Sequence, residues 1–229
     1  MEKKLKFPSE LAYIFGILGV AAGAAFMTKA DYGLSMVVAP AYLIHLKVSE
    51  YLPFFSFGMA EYAFQAVLII ALCFILRKAK ISYLFSFVTA VVYGLTLDFL
   101  LSILPDLASD ATVLRLVFYF VGLVSCSIGV AFLFHTYIAP EAYELFVKEI
   151  SGRFGWRIDK VKTVYDLCSL IAGVVMSFAF FGLWHFEGVK LGTLFCALVN
   201  GWLIGRIGAA LEHFFEFKDA LKLRKFFDK

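Results

Sequence analysis

The chain has 229 residues, of which 62% are hydrophobic and 17% are charged, and phenylalanine alone occupies 27 positions. A water-soluble domain of this length would have too little polar surface to cover its core, so we predict an integral membrane protein in contact with lipid. The net charge is only +3 and the basic residues form no stripe typical of nucleic-acid binding, so we expect no nucleic-acid partner.

Six apolar stretches are long enough to cross the roughly 30 Å hydrocarbon core of a membrane as helices. They cover about residues 10–28, 53–76, 83–104, 112–135, 162–184 and 190–212. Residues that favour helix starts or stops lie near their ends: Pro8, Pro53, Ser82, Pro105 and Asp110. The sequence therefore predicts a single all-α polytopic membrane domain, followed by a basic tail over residues 213–229.

Lysine and arginine lie mostly on one side of the predicted spans. They concentrate in residues 3–6, 77–80, 148–162 and 218–229, whereas the alternate connections carry few of them. Because connections rich in these residues stay in the cytoplasm, we expect both termini there. The even number of spans agrees with this orientation.

The first span has a second interpretation. The basic residues 3–6, the apolar run and Ala22-Gly23-Ala24 have the pattern of a signal peptide with a small-residue cleavage site. Cleavage would leave five spans and would remove the agreement between charge and the number of crossings. We therefore favour a membrane helix.

Two segments about a hundred residues apart have the same order of features. Each follows an apolar span, contains Ala39-Pro40 or Ala139-Pro140, continues as a short helix-like stretch and leads into another span. Three crossings separate corresponding points, so the two copies would have opposite orientations. We predict two inverted three-helix repeats, about residues 10–104 and 112–212, each with a short proline-initiated helix between its first and second spans. The alternative is a chance recurrence of one dipeptide.

The two proline-initiated helices differ in polarity. Residues 41–46 are apolar on almost every side, so we expect the first helix to dip into the protein from the outer side. Gly33 and Ser35, in the break before Pro40, are then candidates for lining a binding cavity. The second helix is amphipathic, and we expect it to lie along the cytoplasmic surface. A plainer alternative is that both helices are interfacial.

Charged side chains inside the spans each cost at least a few kcal/mol unless they face protein or water. Glu61 and Asp98 fall in the outer leaflet, with Gln65 and Tyr93 nearby on the same helices. Adjacent carboxylates raise each other's proton affinity and attract cations, so these four residues are candidates for binding a proton, an ion or a substrate. In a second interpretation Arg115 neutralises the two carboxylates. In a third, each carboxylate reaches the membrane surface separately.

Asp166 and Arg206 fall near one depth on the inner side of the fifth and sixth spans. Opposite charges at one depth can pair inside a membrane. We expect a salt bridge that joins these two helices, and the alternative is that the pair works as an inner gate.

Small residues are predicted to mediate helix packing in the first and sixth spans. They are Gly16, Gly19 and Gly23 in the first span and Gly201, Gly205 and Gly208 in the sixth. The four cysteines lie in apolar stretches without metal-binding spacing, and His135, His185 and His213 lie near span ends, where we expect them to be interfacial anchors. We expect no metal site, no cofactor and no enzymatic activity.

Two stretches resemble the YczE/YyaS/YitT family of bacterial membrane proteins. Residues 29–42, with KADYGLS followed by APAY, are similar to the family's K-A-x-x-G-x-S-P-x-x-x-x-P-Y stretch after helix one. Residues 140–166, with Pro140-Glu141 and GWRIDKVKTVYD, are similar to its P-G-E, K-x-I-S and K-V-K-x-x-x-D pattern. Met36 and Ala142 depart from that pattern and affect the local turns.

The resemblance implies a multi-pass protein of the bacterial inner membrane. The C-terminal soluble domain of longer members is not found, so the chain resembles the short, membrane-only branch. Transporter or permease is the function suggested for the family. The substrate and the coupling ion stay open, and so does oligomerisation.

Three functions are compatible with these features. The first is a small transporter or permease for a small molecule or ion, coupled to protons or cations through Glu61 and Asp98. The second is a substrate-binding subunit of an energised uptake complex, for which Ala21-x-x-x-Ala25 offers a docking spacing. The third is a non-transporting membrane scaffold or regulator. An aquaporin-like channel fits poorly, because its half-helices follow the second helix of each repeat and carry Asn-Pro-Ala.

Overall fold

The computed structural model describes residues 4–78, 80–108, 111–184 and 186–221, and these form eight helices and two short strands. In chain order they are β1 (Leu5–Pro8), α1 (Ser9–Ala30), α2 (Ala39–Ser49), α3 (Phe57–Leu76), α4 (Ile81–Ile103), α5 (Thr112–Phe134), α6 (Ala142–Phe154), α7 (Ile158–Phe181), α8 (Leu191–Phe214) and β2 (Phe215–Lys218). Asp110 and His185, for which a cap and an anchor were predicted, lie outside the described residues.

Six of the helices, α1, α3, α4, α5, α7 and α8, are long and apolar enough to cross a membrane. The six predicted spans are thereby confirmed as helices. Side chains on their outer faces are largely apolar and exposed, as expected where lipid replaces water as the solvent.

The helix ends follow local chemistry, with two corrections. Pro8 immediately precedes α1, as predicted. The start of α3 is capped by Ser56, whose hydroxyl accepts a hydrogen bond from Met59 N at 3.1 Å, so α3 begins later than the predicted Pro53. Ser82 is not the cap of α4, because α4 already begins at Ile81.

An antiparallel pair, α1 and α5, forms the centre of the bundle. A Cβ atom added at Gly19 would lie 2.9 Å from Gly129 Cα, and one at Gly23 would lie 2.6 Å from Cys126 Cβ. Glycine is therefore required where the two backbones approach this closely. The predicted packing role of the α1 glycines is confirmed.

The other helices surround this pair. Helix α1 also packs against α4, and α5 packs against α8. Helix α2 packs against α3 and α7, whereas α6 packs against α3, α4 and α7. The short helices thus lie between the long ones.

The first and last described elements meet at one end of the bundle. Strands β1 and β2 pair in parallel, with Leu5 opposite Phe215 and Pro8 opposite Lys218. Glu10 at the start of α1 accepts hydrogen bonds from the backbone N–H groups of Ala220 and Leu221. This pairing is compatible with an even number of crossings.

Helices α2 and α6 both begin inside the protein. Ala39 and Ala41 at the start of α2 are fully buried, and Glu50 just beyond its end is exposed. At the start of α6, Ala142 and Tyr143 are each only 1% exposed. The prediction that the second proline-initiated helix lies along the surface is therefore wrong for its first turn.

Side chains of neighbouring helices satisfy the irregular backbone before α6. Ser86 donates a hydrogen bond to Pro140 O at 2.6 Å, and Thr89 donates one to Ala139 O at 2.9 Å. Backbone polar groups away from water persist only where protein groups satisfy them. These α4 hydroxyls are the physical reason that the start of α6 is stable in the interior.

Candidate ion-binding site

A group of buried polar side chains lies where α3 crosses the start of α6. Glu61 and Gln65 are one turn apart on α3, and both are fully buried. Glu141, which immediately precedes α6, is 1% exposed. Two of the predicted site residues are therefore brought together with a carboxylate that the sequence did not single out.

Gln65 connects the two carboxylates. Its amide nitrogen donates to Glu141 Oε2 at 3.3 Å and to Glu61 Oε2 at 3.5 Å, while its carbonyl oxygen accepts from Ala142 N at 3.0 Å. Tyr143 donates its hydroxyl hydrogen to Glu61 Oε2 at 2.9 Å. One oxygen of each glutamate is thus fixed by neighbouring donors.

The second oxygen of each glutamate has no partner. Glu61 Oε1, Glu141 Oε1 and the Tyr93 hydroxyl are buried and make no hydrogen bond to any described residue. An ionised carboxylate left in this condition is strongly unfavourable, whereas a bound proton or cation removes the penalty. The arrangement is chemically suited to holding either one.

The site continues towards α7. Glu144 on α6 is 4% exposed and interacts electrostatically with Lys162 and Asp166, which form an ion pair at 2.9 Å. Together, Glu61, Glu141, Glu144, Asp166 and Lys162 are called the acidic cluster below. It contains four carboxyl groups and, among the side chains that the structure describes, one base.

Burial is the main electrostatic influence on Glu141. Loss of solvent raises the pKa of the Glu141 carboxyl well above its ordinary range, and the nearby charges of Glu144 and Glu61 raise it further. Burial therefore disfavours the bare Glu141 carboxylate relative to its protonated or cation-bound form.

Asp98 occupies a different place from the one predicted. Its carboxylate accepts a hydrogen bond from Gly58 N at 2.8 Å and another from the Ser56 hydroxyl. Because α3 begins at Phe57, Asp98 lies at the N-terminus of that helix, where unpaired N–H groups and the helix dipole favour an anion. The prediction that Asp98 is an unpaired carboxylate beside Glu61 is corrected, because Asp98 accepts its hydrogen bonds at the start of α3 while Glu61 accepts its own from Tyr143 and Gln65.

Arg115 is directed at the end of α1. Its Nε donates to Ala30 O at 2.8 Å, and its Nη2 pairs with Asp31 Oδ2 at 3.0 Å. Cations suit the C-terminal end of a helix because its carbonyl groups are unpaired. These contacts give Arg115 a role at the end of α1 and do not support neutralisation of Glu61 and Asp98.

Gly33, Ser35 and Pro40 lie in a separate region. Gly33 has φ of +115°, and an added Cβ atom would lie 2.5 Å from Thr193 Oγ1 at the start of α8. Ser35 is 5% exposed, and Pro40 is in the first turn of α2. The described hydrogen-bond partners of Glu61 and Gln65 come from α3, α6 and the residue before α6, so the structure does not join the outer break to the acidic cluster.

The predicted ion pair between Asp166 and Arg206 is wrong. Asp166 pairs with Lys162 one turn earlier on α7, while Arg206 is exposed and forms no ion pair in the part of the chain described. The physical reason is that Asp166 lines a groove of about 770 Å³ between α5, α7 and α8, whereas Arg206 lies on an exposed part of α8 and does not line that groove. Lys162 and Asp166 line this groove.

The α8 glycines line the groove as well. A Cβ atom added at Gly201 or Gly205 would meet no atom within 4 Å, and one at Gly208 would meet only His135 Cε1 at 3.7 Å. The predicted packing role of these three glycines is wrong within one chain. Their small size instead leaves the groove open.

Sequence reasoning missed Glu141, Tyr143, Glu144 and Lys162. It placed the second proline-initiated helix on the surface, so its carboxylates were assigned to water. The predicted duplication offered the missing signal: a helix that dips inward after Pro40 predicts the same for the helix after Pro140. That inference would have predicted that Glu141 and Glu144 are buried.

Six long apolar helices and a buried polar cluster define a multi-pass α-helical membrane protein. The chain belongs to a family of unknown function, DUF6198, whose model matches residues 7–208. No curated protein and no solved structure matches it.

Proposed function

We propose that the protein is a small transporter or permease that moves a small molecule or ion, with a proton or cation bound at Glu61 and Glu141. The observation that carries this proposal is the pair of buried carboxylates, each with one oxygen that lacks a partner in the described chain. Intramembrane carboxylates are costly and mark ion or substrate pathways in membrane proteins. This site replaces the couple of Glu61 and Asp98.

The composition of the acidic cluster supports binding of a positive species. With one lysine and four carboxyl groups, full ionisation would leave a net charge of −3 in the interior. Four carboxylates cannot all stay ionised in an interior that excludes water, so bound protons or cations must compensate for their charge. If a proton and a cation exchange at the same carboxylates, the movement of one across the membrane is coupled to the movement of the other.

The groove supports an access route to the cluster. It reaches Lys162 and Asp166, both of which interact electrostatically with Glu144. Its volume, about 770 Å³, is within the roughly 300–1,000 Å³ of pockets that hold small molecules. A substrate in the groove would meet a charge pair that is linked electrostatically to Glu61 and Glu141.

The packing pattern supports two inverted repeats. Exchanging α1–α4 for α5–α8 converts the contact of α1 with α4 into that of α5 with α8, and the contact of α2 with α7 into that of α6 with α3. Helices α1 and α5 are antiparallel, and α2 and α6 both start in the interior. Inverted repeats with interrupted segments near the midplane are a recurrent transporter architecture.

The resemblance to the short branch of the YczE/YyaS/YitT family belongs to the same proposal. It implies the bacterial inner membrane, and the distribution of lysine and arginine places both termini in the cytoplasm. The basic connections and the meeting of β1 with β2 at one end support that orientation.

The alternatives receive less support from the geometry. For the substrate-binding subunit, the proposed docking residues Ala21 and Ala25 are both fully buried inside the bundle. A scaffold does not require unpartnered carboxylates in its interior. Copurification of an ATPase pair would favour the first alternative.

Liposome transport tests the proposed function. Purified protein is reconstituted alone, a pH gradient is imposed, and uptake from a metabolite mixture is followed by mass spectrometry. We expect Glu61→Gln and Glu141→Gln each to lower the gradient-driven uptake at least about tenfold, because a carboxamide does not exchange a proton at neutral pH.

The matched control is Glu50→Gln, which alters an exposed carboxylate beside Lys47. It should transport like the unmodified protein. Unchanged uptake by both site variants would eliminate the proposed site, and absence of any gradient-driven solute would contradict transport by the protein alone.

A further inference from the structure

A second pocket, of about 420 Å³, lies between the α3–α4 connection and the second half of α6. Its polar lining consists of Lys78, Lys80, Lys148, Arg153, Glu149 and Tyr83. Four of these six side chains are basic and one is acidic. The pocket is separate from the acidic cluster, which faces the first turn of α6.

The acidic side chain is already satisfied. Lys80 Nζ lies 2.7 Å from Glu149 Oε2, and the Tyr83 hydroxyl donates to the same oxygen at 3.0 Å. Lys78, Lys148 and Arg153 form no ion pair within the described residues. The pocket therefore has three basic side chains in excess, and none of them pairs with a carboxylate in the part of the chain that the structure describes.

The surroundings indicate which anion fits. The pocket lies at the end of α3 and the start of α4, where exposed apolar side chains begin one turn away, among them Phe74 at 78% and Leu84 at 66% exposure. Apolar chains would contact these residues while a phosphate group contacts the basic ones. Arginine binds phosphate through two parallel hydrogen bonds, and lysine adds a compact charge.

We propose that this pocket binds the headgroup of an anionic phospholipid. Lys78, Lys148 and Arg153 supply the charge, and the Lys80–Glu149 pair forms one wall. Basic pockets between membrane helices on the cytoplasmic side are suited to such headgroups. The proposal does not depend on the proposed transport function, although α6 connects this pocket to Glu141 at its other end.

Lipid titration with a detectable probe tests this site. Dioleoyl phosphatidylglycerol is titrated onto the purified full chain in detergent, bound lipid is counted by native mass spectrometry, and dioleoyl phosphatidylcholine gives the chain-matched neutral reference. We expect one phosphatidylglycerol to bind in preference to phosphatidylcholine. The double substitution Lys148→Gln with Arg153→Gln should weaken that binding on the order of tenfold.

The control removes the same charge elsewhere. Lys4 and Lys6 are exposed, and the sequence places them on the same side of the membrane. The double substitution Lys4→Gln with Lys6→Gln should retain binding, and so should the charge-preserving pair Lys148→Arg with Arg153→Lys. Retained elution and unfolding temperature confirm that each variant is folded.

Two results would overturn the assignment. An equal loss in the Lys4 and Lys6 variant would show a general surface charge in place of a pocket. Displacement of phosphatidylglycerol by inorganic phosphate at an equal concentration would show a site for a soluble anion.

Discussion

At the scale of single residues, Glu61 and Asp98 show how the same side-chain chemistry acquires different roles. Both are carboxylates inside predicted spans, and the sequence treats them alike. Asp98 faces the N–H groups at the start of α3, whereas Glu61 faces Tyr143 and Gln65. The difference comes from position, because α3 begins beside Asp98 whereas Glu61 lies within α3 and faces the start of α6.

Substitution of Asp98 separates a capping role from an ion-binding role. We expect Asp98→Ala to lower the free energy of unfolding by about 0.5–2 kcal/mol, because Gly58 N and the Ser56 hydroxyl lose their acceptor. Asp98→Asn keeps an acceptor and should lose less. Thermal unfolding in detergent measures both variants.

Transport measured on the same proteins completes the comparison. Asp98→Asn should keep most of its uptake, unlike Glu61→Gln. Loss of uptake in Asp98→Asn with unchanged thermal stability would show that Asp98 belongs to the binding site after all.

At the scale of helices, glycine patterns alone do not identify a packing face. Three glycines of α8, Gly201, Gly205 and Gly208, have a spacing similar to that of the α1 glycines. Of these two sets, only the α1 set touches a neighbouring backbone. Helix α5 offers Gly122 and Gly129 opposite α1, so both backbones approach. The second half of α8 instead lines an open groove together with α5 and α7.

Leucine substitutions measure this difference. In Gly129→Leu the new side chain would start 2.5 Å from Val20 N, so we expect a loss of about 1–3 kcal/mol or more of stability. Gly205→Leu has open space around its Cβ atom and should be neutral or slightly stabilising, since leucine favours helices more than glycine. Unfolding midpoints and monodispersity in detergent compare the two variants. Equal losses would contradict the packing described for α1 and α5.

At the scale of the whole molecule, the even number of spans and the distribution of lysine and arginine predict the same placement of the termini. Strands β1 and β2 pair at one end of the bundle, and the basic connections predict that this end is cytoplasmic. Glu50 lies just after α2, in a connection that the same rule places outside.

Cysteine labelling tests this orientation. In a background with serine at the four native cysteines, Lys6→Cys and Lys218→Cys should react with a membrane-impermeant maleimide only after permeabilisation. Glu50→Cys should react in cells whose inner membrane is intact. Labelling of Lys6→Cys before permeabilisation would show that the proposed topology is inverted or wrong.

The sequence by itself determined the six long helices, because hydrophobic length and the positions of lysine and arginine are local properties. It also identified Glu61 and Gln65, since a polar residue in an apolar span stands out without neighbours. Only the tertiary structure decided that Glu141 and Tyr143 meet them. Those contacts depend on where α6 enters the interior, and packing among all the helices sets that point.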